Sequence, residues 1–460
     1  MSKYNKKYVA PEGQYWGGNL VISDTPFWWK VDKDNVGYML TMPDGKLSLT
    51  FITGIEEKLE KGNGQGGTSQ PKKVVYGQNS LVPHNGQGKV DIIGFGAAGV
   101  VVWRQGSQTS DLLVTPNFGF NNEAGRWRVE NHVRLLADTT GNGRLDIVGF
   151  SDAGVSISVS KGDNIFEEPN FVLAEFGYDA GWRVEKHLRF VADLRNTGRG
   201  DIIGFGDQGV FVSLNNGDST FSPSKLAVAD FGYEAGGWTP DVSLRFLADL
   251  NGNGLLDIIG FGRVVWASFN NGDGTFQPLK SVLADFSNGQ AWYNDRHPRF
   301  VADLTGDGKP DLIGMKDDGV YVAFNNGDGT FNAAQKVVDN EFCYSKGWRV
   351  EKHPIFIADL TGDGRGDIVG FYDDGVYVAI NNGDKTFNPA KRVLDKFSWK
   401  ENWVIEKHPR FLVDTTGDGR ADIVGIWDSD VYTLLVENFG DNRRGWAADK
   451  AVKYVASLYP

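Results

Sequence analysis

The chain has 460 residues, 60 of them glycine, and a formal net charge of −12. An acidic chain without a basic run argues against nucleic-acid binding, and no stretch is apolar enough for a helix to insert into a membrane. The single cysteine, Cys343, excludes an intrachain disulfide, and we expect it to be a buried small side chain. The N-terminus shows no apolar core of a secretion leader, so we expect cytoplasmic residence or leaderless release.

Residues 1–59 form a small β-rich N-terminal region that does not match the rest of the chain. Residues 19–23, 38–42 and 47–53 read as three short strands, with a hairpin turn at 43–45. A region of this size is marginal alone, so three arrangements stay open: packing on the main domain, pairing with another chain to make an oligomer, or forming half of a small β module. Residues 60–73, rich in Gly, Lys and Gln, predict a flexible linker.

From residue 74 to 460 the chain consists of seven copies of one pattern. Each copy has four runs rich in Val, Ile, Phe and Tyr, bounded by Gly, Asp and Asn clusters; in the sixth copy they are 355–359, 367–371, 376–380 and 391–397. Seven units of four strands predict an all-β fold, a seven-bladed β-propeller, over a linear β-solenoid, whose coils are usually shorter. A marker aspartate recurs at a nearly constant interval, at Asp91, Asp146, Asp201, Asp257, Asp311, Asp367 and Asp422.

The first copy lacks the strand that precedes the marker aspartate in the other copies. Residues 446–458, WAADKAVKYVASL, align with the segment WRVEKHLRFVADL that begins at Trp182. A ring of sheets must cover its last edge against its first. The sequence therefore predicts that this C-terminal strand completes the first sheet and closes the propeller.

A loop that begins and ends with aspartate joins the first two strands of most copies. Loops 303–311, 359–367 and 414–422 place oxygen-bearing side chains at positions 1, 3, 5 and 9, a glycine at position 6, and a backbone carbonyl at position 7. Hard oxygen donors in this order predict structural calcium (Ca2+), whereas the alternative is that the aspartates only cap turns. The predicted ligands are Asp303, Thr305, Asp307, Lys309, Asp311, Asp359, Thr361, Asp363, Arg365, Asp367, Asp414, Thr416, Asp418, Arg420 and Asp422.

Three further loops depart from this pattern. Asparagine at position 5 removes a charge from two of them and predicts weaker binding. Their ligands are Asp138, Asn142 and Asp146 in one loop and Asp249, Asn253 and Asp257 in the other. Loop 193–201 carries Arg195 and Thr197 at positions 3 and 5, and we expect no metal there.

A long segment joins the last strand of each copy to the first strand of the next. It reads FGYDAGWRVEKHLRF from Phe176 and FCYSKGWRVEKHPIF from Phe342. Its tryptophan occurs in all seven copies and is interpreted as a packing residue. Its histidine occurs in five, and Ser243 and Ala451 replace it in the others, so we interpret it as a ligand contact. These histidines are His132, His187, His297, His353 and His408.

Strand direction places this segment on the face opposite the aspartate loops, beside the loop between the second and third strands. Together the two would build a pocket at each junction between copies. The segment shows no nucleophile with an adjacent base and no carboxylate pair at a defined separation, which argues against catalysis. Aromatic faces with His and Arg favour a sugar, and repeated sites favour multivalent binding.

Two other functions remain as alternatives. A protein-binding adhesion-type propeller would need one unique exposed patch, and a polysaccharide-degrading propeller would need one irregular site with clustered acid and base groups. The informative residues here are repeated around the chain, which favours a non-enzymatic sugar-binding protein over both.

The copies, with ADLTGDGRGDIVGF and DDGVYVAINNGDKTF, resemble the family of the mushroom lectin of Psathyrella velutina over residues 74–460. The resemblance implies FG-GAP repeats like those of the integrin α-subunit head and N-acetylglucosamine binding between consecutive blades. It also implies tolerance of sialic acid, and calcium in the inner hairpins. Glycans bearing these sugars are the expected partners.

The sugar contacts that the resemblance implies are a histidine and a tyrosine. The histidine corresponds to the five above, and the tyrosine candidates lie either in the joining segment or, at Tyr321 and Tyr377, in the third strand. Two departures are expected to weaken junctions: Ser243 with Thr239 disables one, and Tyr293 and Val404 replace the arginine in two others. The further candidate contacts are Tyr178, Tyr233, Tyr344, Arg128, Arg183, Arg349, Trp182 and Trp348.

Overall fold

The structure is a computed structural model in which the chain is almost entirely β. It describes residues 37–41, 48–52, 91–96, 98–104, 112–128, 130–162, 165–240, 243–405, 408–414, 418–427, 430–434 and 451–454. Within these ranges the chain forms β-strands and single-turn 3-10 helices, and no helix is long and apolar enough to cross a membrane. The 3-10 helices are Asn122–Ala124, Asn288–Gln290, Tyr344–Lys346 and Trp399–Glu401.

Seven repeated sheets, numbered I to VII here, correspond to the seven predicted copies. Sheets III to VII are antiparallel meanders of four strands in chain order. Sheet III contains Leu188–Ala192, Asp201–Phe205, Val210–Ser213 and Lys225–Val228; sheet IV contains Leu244–Ala248, Asp257–Phe261, Val265–Ser268 and Lys280–Leu283. Sheet V contains Arg299–Ala302, Asp311–Met315, Gly319–Ala323 and Gln335–Asp339; sheet VI contains Ile355–Ala358, Asp367–Phe371, Val376–Ala379 and Lys391–Leu394. Sheet VII contains Arg410–Val413, Asp422–Trp427, Asp430–Leu434 and Ala451–Tyr454.

Sheets I and II elaborate the same plan. Sheet I has five strands in the order Ser48–Ile52, Gly37–Thr41, Asp91–Phe95, Val100–Arg104 and Leu112–Thr115. Sheet II consists of Val133–Ala137, Asp146–Phe150, Val155–Ser158 and Asn170–Leu173, with a small hairpin of Ser160–Gly162 and Ile165–Phe166 inserted before its last strand. One sheet for each predicted copy confirms the all-β, seven-bladed propeller class.

The C-terminal strand does not have the partner that the sequence predicted. Ala451–Tyr454 pairs with Asp430–Leu434 as the fourth strand of sheet VII. The N-terminal strand Gly37–Thr41, and not the C-terminus, pairs with Asp91–Phe95 and completes sheet I. The unpaired backbone N–H and C=O groups at the edge of a sheet can pair with any strand that reaches them. The last copy needs a fourth strand, and the residues that follow it supply one.

Two of the three strands predicted in the N-terminal region form. Gly37–Thr41 and Ser48–Ile52 pair as an antiparallel hairpin, and through the first of them the hairpin joins sheet I. The predicted strand at 19–23, the turn at 43–45 and the linker at 60–73 lie outside the described residues. The domain boundaries and the contact of this region with another chain stay predictions.

The core lies within and between the sheets, and in sheets II to VI every residue of the second strand is buried. Strands such as Asp311–Met315 are buried along their whole length. The glycine in this strand is required by close packing, because a Cβ built at Gly314 would lie 2.6 Å from the Trp292 ring and 2.9 Å from Phe286. The tryptophan ring thus packs against the glycine of the next sheet. This contact fixes the joining segment against the end of the sheet, where the candidate site lies.

Candidate functional site

The joining segment and the loop between the second and third strands meet at one end of each sheet, as predicted. In sheet III the backbone N–H of Tyr233 donates to the carbonyl of Gly206, and that of Glu234 donates to the carbonyl of Asp207, both at 2.9 Å. The segment that leaves sheet III is therefore fastened to the loop of that same sheet. Because antiparallel strands alternate in direction, the aspartate loops lie at the opposite end.

The histidine of each of the five junctions is buried, and in four of them hydrogen bonds within the protein are seen at both ring nitrogens. His187 is 4% exposed, and its Nδ1 accepts a hydrogen bond from the backbone N–H of Arg183 at 3.1 Å. An Nδ1 that accepts leaves the proton on Nε2, which donates to Oδ1 of Asp207 at 2.8 Å. The side chain of Asp207 is 40% exposed, so it lies between the imidazole and solvent.

The same arrangement recurs in three other described junctions. The histidine–aspartate pairs are His132–Asp152 at 2.8 Å, His297–Asp317 at 3.0 Å and His353–Asp373 at 3.0 Å. In the fifth, Nδ1 of His408 accepts from the backbone N–H of Val404, and the imidazole stacks on Trp427 with ring centroids 3.9 Å apart. The aspartate expected beside it, Asp428, lies outside the described residues.

Sequence reasoning missed the aspartate, although the chain carries a pattern that reveals it. An aspartate follows every junction histidine at one fixed interval along the sequence, as Asp207 follows His187. Where Ser243 replaces the histidine, Arg263 stands at the position of the aspartate, and the first copy has Ala97 at the corresponding loop position. The two copies without the histidine therefore also lack the aspartate, so the residues act as a pair.

The structure places the two groups of tyrosine candidates differently. The Tyr233 ring lies 6.5 Å from the His187 ring, at its edge, and 4.7 Å from Nζ of Lys186. The tyrosine of one joining segment thus belongs to the histidine of the preceding segment. By the same placement, Tyr344 faces the His297 junction, where Arg296 lies 4.8 Å from its ring, and Tyr178 lies beside the Asp152 loop.

The third-strand candidates lie elsewhere. The Tyr321 hydroxyl donates to Asp318 at 3.1 Å, and the Tyr377 hydroxyl donates to Asp374 at 3.2 Å. Their rings pack in a T-shaped arrangement against Trp292 and Trp348, with ring centroids 6.2 and 6.3 Å apart. They pack against the tryptophans, and which tyrosines contact a ligand stays a prediction.

The predicted arginines hold the turn of the joining segment. The guanidinium of Arg183 lies 3.6 Å from the ring of Tyr178, and its Nη1 donates to the carbonyls of Tyr178 and Trp182 at 2.6 and 3.0 Å. Arg349 repeats this arrangement on Tyr344, and Arg128 does so on Phe120. These contacts explain the arginines as braces of the turn, while a direct contact of theirs with a ligand stays a prediction.

The tryptophans are packing residues, as the seven-fold occurrence predicted. Trp348 is 5% exposed and lies between Phe342, His353 and Tyr372. Its burial corrects its assignment as a ligand contact, because almost no ring surface is left for a ligand. Trp182, which is half-buried, packs in the same way on Phe176 and His187.

Burial lowers the pKa of the junction histidines His132, His187, His297 and His353, so we expect them to stay neutral below the ordinary pKa of histidine. Burial lowers the pKa of His353 to about 4, opposed by the hydrogen bond to Asp373; Lys352 and Arg410 lower it further. Between pH 6.5 and about 4 the unfolded chain therefore binds a proton that the folded chain does not. This contribution to stability is present above pH 6.5 and is lost as the pH falls toward 4.

A titration of the protein labelled with ¹³C at the histidine Cε1 would check this. The His353 signal should have its midpoint near 4, and the denaturant midpoint should fall over the same range below pH 6.5. His84, outside the repeated pattern, supplies a reference signal in the same sample. A His353 midpoint at 6.5 or above would contradict the expected burial.

The aspartate loops hold their own turns. In loop 303–311 the Asp303 carboxylate accepts the backbone N–H of Thr305, Gly306 and Gly308 at 2.7 to 3.0 Å. The Asp311 carboxylate, 1% exposed, accepts the backbone N–H of Leu304 and Asn325. Loop 359–367 repeats these contacts. Turn capping is therefore one role of these aspartates, with or without a metal.

Loop 193–201 compensates the charge of its last aspartate with an arginine. In that loop Arg195 donates to Asp201, from Nη2 to Oδ1 at 2.7 Å and from Nε to Oδ2 at 3.1 Å. At the same loop position the other described loops have threonine or asparagine. Burial raises the pKa of Asp257 and Asp311 to about 7. A divalent cation would keep such carboxylates ionised, so the donor chemistry fits calcium.

The geometry of the fifth loop position fits calcium less well. Asp307 pairs with Lys309, Asp363 with Arg365, and Asp418 with Arg420, so each would have to turn to meet an ion. Thr416 lies outside the described residues. Across the part of the chain that the structure describes, no group of three or more His, Cys, Asp or Glu side chains is placed to hold a metal.

Comparisons with known proteins identify a repeat family and a similar lectin. Residues 249–313, 303–369 and 359–425 match the FG-GAP-like repeat family. The chain is 53% identical to an Agrocybe aegerita lectin whose structure shows specific recognition of non-reducing terminal N-acetylglucosamine; the match covers 81% of this chain and 92% of that chain, with a TM-score of 0.76. A search of curated proteins finds no match.

Two other solved structures are only remotely similar. The Tc holotoxin pore of Photorhabdus luminescens is 14% identical over 73% of this chain and 15% of that chain, with a TM-score of 0.41. A variant of the NanB sialidase from Streptococcus pneumoniae is 8% identical over 93% of this chain and 86% of that chain, with a TM-score of 0.25. Similarity at these TM-scores indicates neither the fold nor the function of this protein.

Proposed function

The chain belongs to the mushroom N-acetylglucosamine-lectin family represented by the Agrocybe aegerita protein, as the sequence predicted, and on that premise we propose that it is a multivalent lectin for terminal N-acetylglucosamine. Its sites would be the junctions between consecutive sheets. The observation that carries this proposal is the recurrence of a buried histidine behind an exposed aspartate, absent together from two copies. Five copies keep the histidine and the aspartate and two keep neither, which is the distribution expected of a site that is present at some junctions and absent from others.

The geometry supports a shallow sugar site at each junction. The tyrosine of the following segment supplies an aromatic face for the C–H surface of the ring, as Tyr233 does beside His187. Around it stand hydrogen-bonding groups at the protein surface, such as Asp207 and Lys186. Several weak sites on one chain gain avidity when they meet a surface dense in the same sugar.

We further propose that the protein is not an enzyme and that sialic acid is a weaker ligand of the same junctions. Sialic acid shares the N-acetyl group but adds a carboxylate. That charge would approach the exposed aspartates of the junctions, for example Asp152, which is 58% exposed. Like charges at short range disfavour binding, so its affinity should be the lower of the two and should improve with added salt.

The test is a titration of the ¹³C-histidine protein with N-acetylglucosamine, because each junction histidine reports on its own site. The five junction signals should shift, and each should give a dissociation constant. The His84 signal should not shift, and galactose, as a control sugar, should not shift the junction signals. Shifts at all five would support a multivalent lectin. Shifts at one junction would contradict multivalency, and no shift at any junction would remove the lectin proposal.

We also propose structural calcium in the aspartate loops, on their donor chemistry and on the contrast with Arg195. We expect the calcium-depleted protein to unfold at a temperature several degrees lower than the calcium-loaded protein. Asp303→Asn should reduce the number of bound ions, measured by elemental analysis, by one. The matched control is Asp193→Asn, in the loop that Arg195 serves, which should not change that number. An equal count in the Asp303 variant and wild type would contradict a site in loop 303–311.

A further inference from the structure

We infer that the exposed aspartate carboxylate of each junction, and not the imidazole behind it, is the group that accepts hydrogen bonds from the hydroxyls of the sugar. The described members are Asp152, Asp207, Asp317 and Asp373, and the histidine is a positioning residue that holds each of them. This inference rests on the proposed lectin function and names the atoms that carry its specificity.

The imidazole has no nitrogen left for a ligand. In His187 the lone pair on Nδ1 is used by the backbone N–H of Arg183, and the proton on Nε2 is used by Asp207. The ring is also 4% exposed and packs edge-on against Trp182. A sugar hydroxyl could bond this ring only by breaking one of two buried hydrogen bonds, and an unpaired buried polar group costs more than the new bond returns.

The carboxylate, in contrast, has capacity to spare. An ionised aspartate offers about four lone-pair sites on two oxygens, and the histidine uses one of them on Oδ1. The side chains of Asp152, Asp207 and Asp317 are 58%, 40% and 55% exposed. Hydroxyl donors to a charged acceptor form the stronger class of hydrogen bond, and two oxygens can serve two neighbouring hydroxyls of one sugar.

The junctions should differ in strength because the carboxylates have different cations beside them. Asp373, 33% exposed, is shared with an ion pair to Lys352 as well as with His353. Asp317 has Arg296 at 3.8 Å. A neighbouring cation draws on the same lone pairs, so we expect the His353 junction to bind the sugar more weakly than the His187 junction.

A carboxylate acceptor also explains why such a site would select the terminal sugar residue of a glycan. It requires a hydroxyl that still has its proton, and a hydroxyl joined to a further sugar has none to donate. At the Ser243 junction the aspartate position holds Arg263, whose exposed side chain donates hydrogen bonds and accepts none. That junction should not accept the same hydroxyls.

The test pairs one substitution with two altered sugars. Asp207→Asn keeps an oxygen for the Nε2 proton of His187 but replaces the other acceptor with a donor. By histidine-resolved titration, N-acetylglucosamine should bind the His187 junction about tenfold more weakly, with the other junctions unchanged. In the wild type, either the 3-deoxy or the 4-deoxy sugar should bind several-fold more weakly, and in the variant that preference should disappear at this junction alone.

The outcomes separate the inference from the function on which it rests. An unchanged dissociation constant at the His187 junction of Asp207→Asn, or a deoxy preference that persists there, would overturn the carboxylate role while sugar binding stands. Shifts at no junction of the wild type would instead remove the lectin proposal. Asp218→Asn is the matched control, an exposed aspartate of the same sheet at the opposite end.

The positioning role of the histidine has its own readout. Imidazole ¹⁵N signals should show a bare Nδ1 and a protonated Nε2 in the free protein, and the same tautomer after saturation with sugar. A tautomer change, or a loss of the Nε2 proton signal on saturation, would place the sugar on the imidazole and overturn the inference.

Discussion

Replacing Asp152, Asp207, Asp317 and Asp373 together with asparagine should weaken binding to a surface dense in terminal N-acetylglucosamine by about 100-fold or more. Each substitution weakens one junction, and avidity multiplies the losses because fewer sites can engage at the same time. The fold should survive, since the four side chains are partly exposed and asparagine retains an acceptor for each histidine. The change therefore separates recognition from stability.

Surface plasmon resonance on a dense and a sparse sugar surface would measure this loss. The matched control replaces four other aspartates, which are exposed at hairpin tips of the opposite end and cause the same change in net charge. They are Asp218, Asp273, Asp328 and Asp384. The control protein should bind the dense surface as the wild type does. Equal losses in the two proteins would assign the effect to net charge and would refute the junction sites.

The repeat and its strands could be read from the sequence because they depend on local patterns. The four strands predicted for the sixth copy begin at the same residues as Ile355–Ala358, Asp367–Phe371, Val376–Ala379 and Lys391–Leu394 and differ only at their ends. Alternation of apolar residues and turn residues at fixed offsets encodes such elements directly. The regular interval between the marker aspartates likewise sets the number of sheets.

The partner of the C-terminal strand could not be read in this way. Residues 446–458 resemble a first strand, but Ala451–Tyr454 pairs as a fourth strand. Pairing depends on which edge is open and near, and similarity between segments reports on neither. The aspartate loops show the same limit, since the sequence indicated that Arg195 excludes a metal but not that it pairs with Asp201.

One part of the candidate site, the junction histidine, could be predicted from the sequence. The selective occurrence of the histidine identified the junctions, but the partner aspartate lies in a different loop, beyond the first two strands of the sheet. Only the fold shows that the two loops meet, and that the tyrosine of a junction comes from the following segment. Correlated loss within one chain, such as Ser243 with Arg263, is a signal that sequence reasoning can use in any repeat protein.

Replacing Trp292 with alanine should lower the free energy of unfolding by about 3–5 kcal/mol. Its ring is 0% exposed and stacks on Phe286 with centroids 4.6 Å apart and 13° between planes. Its Nε1 donates to Asp285 at 2.8 Å, and its face fills the space that Gly314 leaves open. Alanine would leave a cavity between two sheets and remove one of the two hydrogen bonds that Oδ1 of Asp285 accepts. The glycine of the next sheet cannot refill that space, so little relaxation will offset the loss.

Guanidinium denaturation, with the midpoint and slope both fitted, would measure this effect. The matched control is Tyr293→Ala, at the next residue, because its side chain is 46% exposed and its loss should cost less than about 1 kcal/mol. The Trp292 variant should also lose sugar binding at the His297 junction, whose imidazole packs against the ring at 5.8 Å. The junctions of His132 and His187 should keep theirs, because each joining segment is held by its own tryptophan, Trp127 or Trp182. Equal destabilisation by the two variants would contradict this packing, whereas local loss at one junction would show that each site is built and held separately.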